Sequence, residues 1–332
     1  MRVAVTWPLN AVHNSFFVVA RLIVKALAGH VVVTDLPGRA DLQIHVGTPE
    51  PEQAWMYSER PERVIFYSFA EATAVPRAWV DVFNRSREVW VPSTFCAEVF
   101  ARSGVEVPIR IVPLGIDVDV LPPPAAARDD RAPFTVLWQG VTTRRRSGAS
   151  VVDGDRKRGL LVERAFRAAS IPDGRLILKS VPLDSRRYDV RTGPVWDICE
   201  ALSGRAMREI DDATDLFVWP TRGEAFGLLP LEKLAHGIPC LVTGWSGVRE
   251  YLDDFGGHAI EAFRLEPVTY NGVACQMADV DEAALAEAIA ARWEDRARLR
   301  AERAALQARA VERWNFRRTM APALLEALRR AA

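Results

Sequence analysis

Short apolar runs alternate with longer amphipathic stretches along the whole chain. Runs at 3–6, 31–33, 43–46, 64–66, 88–91 and 110–112 are too short for helices and rich in β-branched residues. They predict buried strands. Between them, Phe16, Val19, Ala20, Ile23 and Leu27 recur at helical spacing, and 76–84 predicts a second helix. Ser93 predicts the N-cap of a third, ending at Gly104. Such alternation implies an α/β fold with a parallel sheet covered on both faces.

A run of three prolines, Pro122 to Pro124, then small and charged residues to Arg131, has the composition of a linker. The second half repeats the scheme. Strands are expected at 134–138, 175–179, 215–219 and 240–242, with helices at 160–169 and after Ser203. One long Ala/Glu/Arg helix is expected from Asp281 to about Ala310. A last helix carries Met320, Leu324, Leu325 and Leu328 on one face. The expected domains are 1–124 and 132–312, with a terminal helical segment at 313–332.

The 332 residues leave room for two cores. Lys plus Arg and Asp plus Glu both number 43, so the chain lacks the basic surface of a duplex nucleic-acid binder. Apolar runs are broken by charge well short of the ~20 residues of a membrane span, and the N-terminus has no signal-peptide pattern. A cytoplasmic protein is expected. Cys96, Cys199, Cys240 and Cys275 lie far apart and read as buried thiols. The five histidines show no metal-ligand spacing, so no metal site is expected. His45 reads as an ordinary polar residue, and so does His13.

The chemistry concentrates at 221–239. There an apolar strand ends at Pro220, and Gly223 and Gly227 bracket the entry to a short helix. Pro230 suits its first turn, Gly237 its C-cap, and Pro239 stops it. A glycine-rich strand-to-helix turn is where a parallel α/β sheet binds phosphate. Two acids, Glu224 and Glu232, sit in this element eight residues apart. A helix rises about 12 Å over that spacing, which is the span from a ribose, across a diphosphate, to a hexose. The alternative is a pair of surface charges. Arg156-Lys157-Arg158 adds cations at a loop-to-helix junction, suited to a diphosphate leaving group. Arg144 to Arg146 reads as a surface loop. In the first βα loop, Asn10, Asn14 and Ser15 are candidate donors to phosphate or sugar. Glu71 follows the 64–66 strand. It is either a base or acceptor ligand at an interdomain cleft or a helix N-terminal charge ahead of Pro76.

These residues resemble the "glycosyl transferases group 1" family of retaining, two-Rossmann-domain (GT-B) enzymes. Glu224-Ala-Phe-Gly-Leu-Leu-Pro-Leu-Glu232 is similar to its E-x7-E signature, continued by His236-Gly-Ile-Pro239 and Gly244-Trp-Ser-Gly247. Val91-Pro-Ser-Thr-Phe95, Ile111-Val-Pro-Leu-Gly-Ile-Asp117, the strands at 175–179 and 215–219, and Trp314-Asn-Phe316 resemble further segments of it. The resemblance implies two Rossmann-like domains facing a central cleft, with the C-terminal helix crossing back to the first. It implies that Glu224 contacts the transferred sugar. Phe226, Gly227 and Leu228 would offer backbone N–H groups, and Glu232 would bind ribose. Lys157 would bind the diphosphate, or Arg158, because the chain reads Lys-Arg-Gly where the family has Arg-Lys-Gly. Lys179, Asn14 and Ser15 are counted with the donor-binding residues, and Glu71 with Glu224 and Lys157 as catalytic. The chain departs from the family in three places. The strand ending at Gly140 lacks the usual Gly-Arg, so which arginine substitutes is open. The first loop lacks glycine. The loop after the fourth strand offers Glu71 where many members have His.

The expected activity is retaining, metal-independent transfer of a hexose-type sugar from a nucleotide diphosphate sugar, a UDP-sugar for preference. The acceptor would be the hydroxyl of a glycan, lipid or small molecule. No cofactor is expected beyond that co-substrate, and a homodimer is left open. The alternatives are a sugar-nucleotide epimerase or phosphorylase on the same scaffold, and a non-catalytic sugar-nucleotide-binding protein.

Overall fold

A computed structural model describes residues 1–8, 15–34, 36–50, 54, 57, 59–121, 128–129, 131–140, 156–181 and 187–332. The first sheet is formed by β1 (Arg2–Thr6), β2 (Val32–Thr34), β3 (Leu42–Val46), β4 (Val64–Tyr67), β5 (Glu88–Val91) and β6 (Ile109–Ile111). Its order is β2-β1-β3-β4-β5-β6, and every pairing is parallel. Helices α1 (Ser15–Leu27), α2 (Arg77–Phe83) and α3 (Thr94–Ser103) provide the crossovers from β1 to β2, from β4 to β5 and from β5 to β6. The central strands are buried along their length, as a sheet covered on both faces requires. Ser93 Oγ accepts from the Cys96 N–H, and Gly104 closes α3 at φ 99°, the left-handed C-cap that favours glycine.

The second sheet has the order β13-β12-β11-β7-β8-β10-β9. Its strands are β7 (Thr135–Gly140), β8 (Arg175–Ser180), β9 (Tyr188–Thr192), β10 (Val195–Cys199), β11 (Leu216–Trp219), β12 (Cys240–Thr243) and β13 (Ala259–Ile260). Only β9 is antiparallel to its neighbour. Its helices are α4 (Gly159–Ala168), α5 (Gly204–Ala213), α6 (Leu228–Ala235), α7 (Arg249–Leu252), α8 (Glu282–Glu294) and α9 (Arg296–Trp314). The single helix expected from Asp281 to Ala310 is therefore two, broken at Asp295. There the Asp295 N–H still bonds back to Ala291 while its carboxylate accepts from Arg298 at the start of α9. An antiparallel ribbon not anticipated from the sequence, β14 (Phe263–Tyr270) and β15 (Val273–Val280), extends from this domain.

The expected linker at 121–131 is only partly within the described residues. The chain returns to the first domain after α9. Ile116 N–H donates to the Trp314 carbonyl at 2.6 Å and Phe316 N–H to the Ile116 carbonyl at 3.0 Å. Gly115 allows this approach, since a Cβ there would lie 2.5 Å from the Phe316 Cα. Helix α10 (Met320–Ala331) then packs on α1 through buried Met320, Leu324 and Leu328. All four cysteines are buried and free. Among the described residues, no helix is long and apolar enough to cross a membrane.

Candidate active site

The carboxyl ends of both sheets face each other across a cleft. On the C-terminal side, β11 ends at Trp219 and the chain turns through Thr221 to Gly227 into α6. Gly227 caps that helix at φ 82°, and its backbone is pressed against Val248 Cγ1, which a Cβ would meet at 2.7 Å. Helix α6 has no side-chain cap. The N–H groups of Phe226, Gly227 and Leu228 have no hydrogen-bond partner among the described residues. Free amides at a helix mouth form an anion site.

Glu224 is buried here, 5 % exposed. Its N–H donates to Ser246 Oγ (2.9 Å), and its Oε1 accepts from Thr221 Oγ1 (2.6 Å), Arg156 Nη1 (2.9 Å) and Lys157 Nζ. Burial alone would raise this carboxyl, but the Lys157 and Arg156 cations outweigh it and hold it below the usual carboxylate range. Burial and the adjacent Arg156 bring Lys157 down to about 8, against the pull of Glu224. The Lys157 ammonium also lies 4.0 Å from the centre of the Trp219 ring.

The turn that carries these cations is fixed by its backbone. The Arg156 carbonyl accepts from Arg222 N–H (2.8 Å), and the Lys157 carbonyl from Trp138 Nε1 (2.8 Å). Arg158 adopts φ 56°, which turns its side chain the other way, onto Asp279 of β15 at 2.6 Å. Of the two candidates for diphosphate binding, Lys157 therefore faces Glu224 and Arg158 faces the ribbon.

Arg156 is the residue that sequence reasoning left inside a cluster. Its guanidinium donates to Glu224, to the Gly223 carbonyl (2.5 Å), and across the cleft to Glu71 Oε1 (2.8 Å). The other Glu71 oxygen accepts from Tyr270 Oη at the end of β14. The two domains meet tightly at this point. A Cβ on Gly223 would lie 1.9 Å from the Glu71 carbonyl oxygen. Ser93 Oγ donates to the Ala225 carbonyl (2.6 Å), and Thr73 exchanges hydrogen bonds with Gln276 on β15.

Glu232 lies on α6, away from this group. It is half-buried, has no hydrogen bond or ion pair to its carboxylate among the described residues, and burial raises its pKa. Its neighbour Lys233 pairs with buried Asp211 of α5 at 2.6 Å, which fixes the helix. Lys179 is buried at the end of β8, where its ammonium donates to the Ser180 and Glu200 carbonyls. Ser15 opens α1 at the cleft; Asn14, with Asn10, His13 and Arg144 to Arg146, lies outside the described residues. His45 is a core residue of β3. Its Nδ1 contacts Thr6 Oγ1 (3.0 Å), and burial lowers its pKa to about 4. Among the described residues, no cluster of His, Cys, Asp and Glu could hold a metal ion. Glu224, Glu71, Ser15, Phe226, Gly227 and Leu228 all line one cavity of about 270 Å³.

Residues 204–322 match the model of the family 4 glycosyltransferases in conflict systems. A segment of 85 residues is 31 % identical to sucrose synthase of Acidithiobacillus caldus, over 26 % of this chain and 10 % of the synthase. The whole architecture matches sucrose-phosphate synthase of Thermosynechococcus elongatus, with a TM-score of 0.65 at 16 % identity over 99 % of both chains. The chain has the GT-B fold, and its similarity to the family 4 glycosyltransferases spans residues 204–322. HepE of Anabaena, solved with UDP and glucose, shares this GT-B fold at a TM-score of 0.63, with 14 % identity over 98 % of this chain and 99 % of its own. At these identities the structural likeness concerns the fold, and the matched segment is about a tenth of the length of the curated synthase. The family match lies in the second domain and the crossover, where the GT-B chain carries Glu224, Glu232 and α6.

Proposed function

We propose that this chain transfers a hexose-type sugar, with retention, from a UDP-sugar to an acceptor hydroxyl held on the N-terminal side of the cleft. One observation carries the reading. Two cations, Arg156 and Lys157, converge on buried Glu224 beside the unpartnered amides at the mouth of α6. In our reading the donor diphosphate takes over those cations and amides, and the freed Glu224 carboxylate binds sugar hydroxyls and supports the positive charge that develops at the anomeric carbon. Glu232 binds the ribose. The bond from the anomeric carbon to the phosphate oxygen breaks. That oxygen accepts the proton of the acceptor hydroxyl on the same face, and the acceptor oxygen bonds to the anomeric carbon. Charge on the leaving group is neutralised by Lys157, Arg156 and the helix mouth, so no step is assigned to a metal. The choice of UDP is supported by HepE, whose structure holds UDP and glucose.

A thermal-shift panel of UDP-, GDP- and dTDP-sugars tests the donor. Release of nucleotide diphosphate from the stabilising sugar tests the chemistry. Glu224→Ala should abolish that release and leave nucleotide binding largely intact. A wild-type chain that binds donor but never cleaves it, with any acceptor, would overturn the reading.

A further inference from the structure

The cavity between the domains has a composition that constrains what enters it. Its described lining contains three glutamates, Glu50, Glu71 and Glu224, and no lysine, arginine or histidine. Two of the acids are matched by cations outside that lining. Arg156 meets Glu71 and Glu224, and Lys157 meets Glu224. The Glu50 carboxylate accepts from Thr48 Oγ1 at 2.8 Å and has no ion pair among the described residues. The wall is aromatic and apolar: Phe16 of α1 stacks on Phe69 with ring centres 5.1 Å apart, and Trp79 of α2 stands beside them. The ribbon tip closes the remaining side with Tyr270 and Asn271. A volume of about 270 Å³ lies near the lower end of small-ligand pockets.

Resting on the reading above, in which Glu224 and the mouth of α6 take the donor, we infer that the part of this cavity lined by the first domain selects an acceptor that is uncharged or carries an amine, with a ring against Phe16 and Phe69 and a polar group on Glu50. A phosphate or carboxylate placed beside Glu50 would face a carboxylate that has no ion pair among the described residues, in a partly dehydrated pocket where like charges repel most strongly. A protonated amine would gain a charge-assisted hydrogen bond at the same oxygen. Tyr270 and Asn271 belong to the donor domain, so the acceptor pocket is complete only when the ribbon is docked on the first domain. The N-terminus of α1 also lines the cavity and would favour an anion, which makes a phosphorylated sugar the discriminating probe.

Glucosamine, glucose and glucose 6-phosphate are titrated calorimetrically into the full chain, with and without UDP, at a pH where the amine is protonated. Glucosamine should bind best, glucose next and the phosphate least. Glu50→Gln should weaken glucosamine by about ten-fold, the worth of a hydrogen bond to a charged group, and bring it level with glucose. Asn271→Ala should weaken both of these sugars. Melting temperatures of the variants control for folding. The phosphorylated sugar binding tightest, no binding by any of the three, or a Glu50→Gln variant that keeps the amine preference would each overturn the proposal. Donor cleavage is read separately. A chain that cleaves no donor yet binds glucosamine through Glu50 loses the proposed activity and keeps this pocket.

Discussion

Arg156 reaches across the domain boundary to Glu71 at 2.8 Å while its other amino group holds Glu224 at 2.9 Å. One guanidinium thus joins an acid of each Rossmann-like domain. Its planar fork suits two acceptors at once, which a lysine ammonium on a flexible stem does not reproduce.

Removing that fork should cost more than removing a charge. Arg156→Lys and Arg156→Ala are both expected to lower kcat, the alanine variant by about a hundred-fold or more, as for loss of a preorganised transition-state cation. The lysine variant should recover only part of this loss. Steady-state rates of nucleotide release measure both.

Lys157 sets an expectation for alkaline pH. Its free-state pKa is about 8, so its positive charge is present at neutral pH and is lost as the pH rises through that value. The profile of kcat/KM, which reports free-enzyme ionisations, should fall above about pH 8. Lys157→Arg should move that limb out of range. An unchanged limb in the arginine variant would assign it elsewhere.

Glu232 should trade stability against affinity. Burial raises its pKa, so the native state binds its proton more readily than the unfolded chain does. Stability from this group therefore falls as the pH rises through its native value, and at neutral pH the buried charge is a liability. Glu232→Gln should melt higher at neutral pH and bind the nucleotide more weakly, the latter through loss of the proposed ribose contact. Differential scanning calorimetry and titration with UDP read the two effects.

Gly223 should be intolerant of any side chain for a reason unconnected with its own domain. Its backbone conformation is ordinary, but the Glu71 carbonyl leaves room for hydrogen alone. Gly223→Ala should keep a near-native melting temperature and lose most activity. Small-angle scattering should show a more open pair of domains.

Much of this organisation was legible in the chain. The strand-helix alternation, the Ser93 cap and the Gly227 and Gly237 punctuation all follow from local chemistry that tertiary contacts did not override. The ribbon was also readable and was missed: Asn271-Gly272 between extended runs is a strong hairpin signal, and both residues have positive φ, 50° and 75°. Missing it hid Tyr270 and Asn271 from the site. Arg156 was hidden differently. Three consecutive basic residues look equivalent in sequence, and only the left-handed backbone at Arg158 sends one to Asp279 and leaves the other two for Glu224. The break at Asp295 had no periodic signature, because Ala, Glu and Arg favour helix on both sides of it.

Helix α10 covers α1, nearly three hundred residues away along the chain. The part of the first helix's apolar surface that does not face β1 and β3 therefore stays uncovered through synthesis until residues 320–331 have been made. Contacts this distant close slowly and expose sticky intermediates. The segment from Trp314 onward is thus as much a completion signal for the first domain as part of the second. Shortening it should send the nascent protein to aggregates and chaperones before any effect on the cleft could be seen.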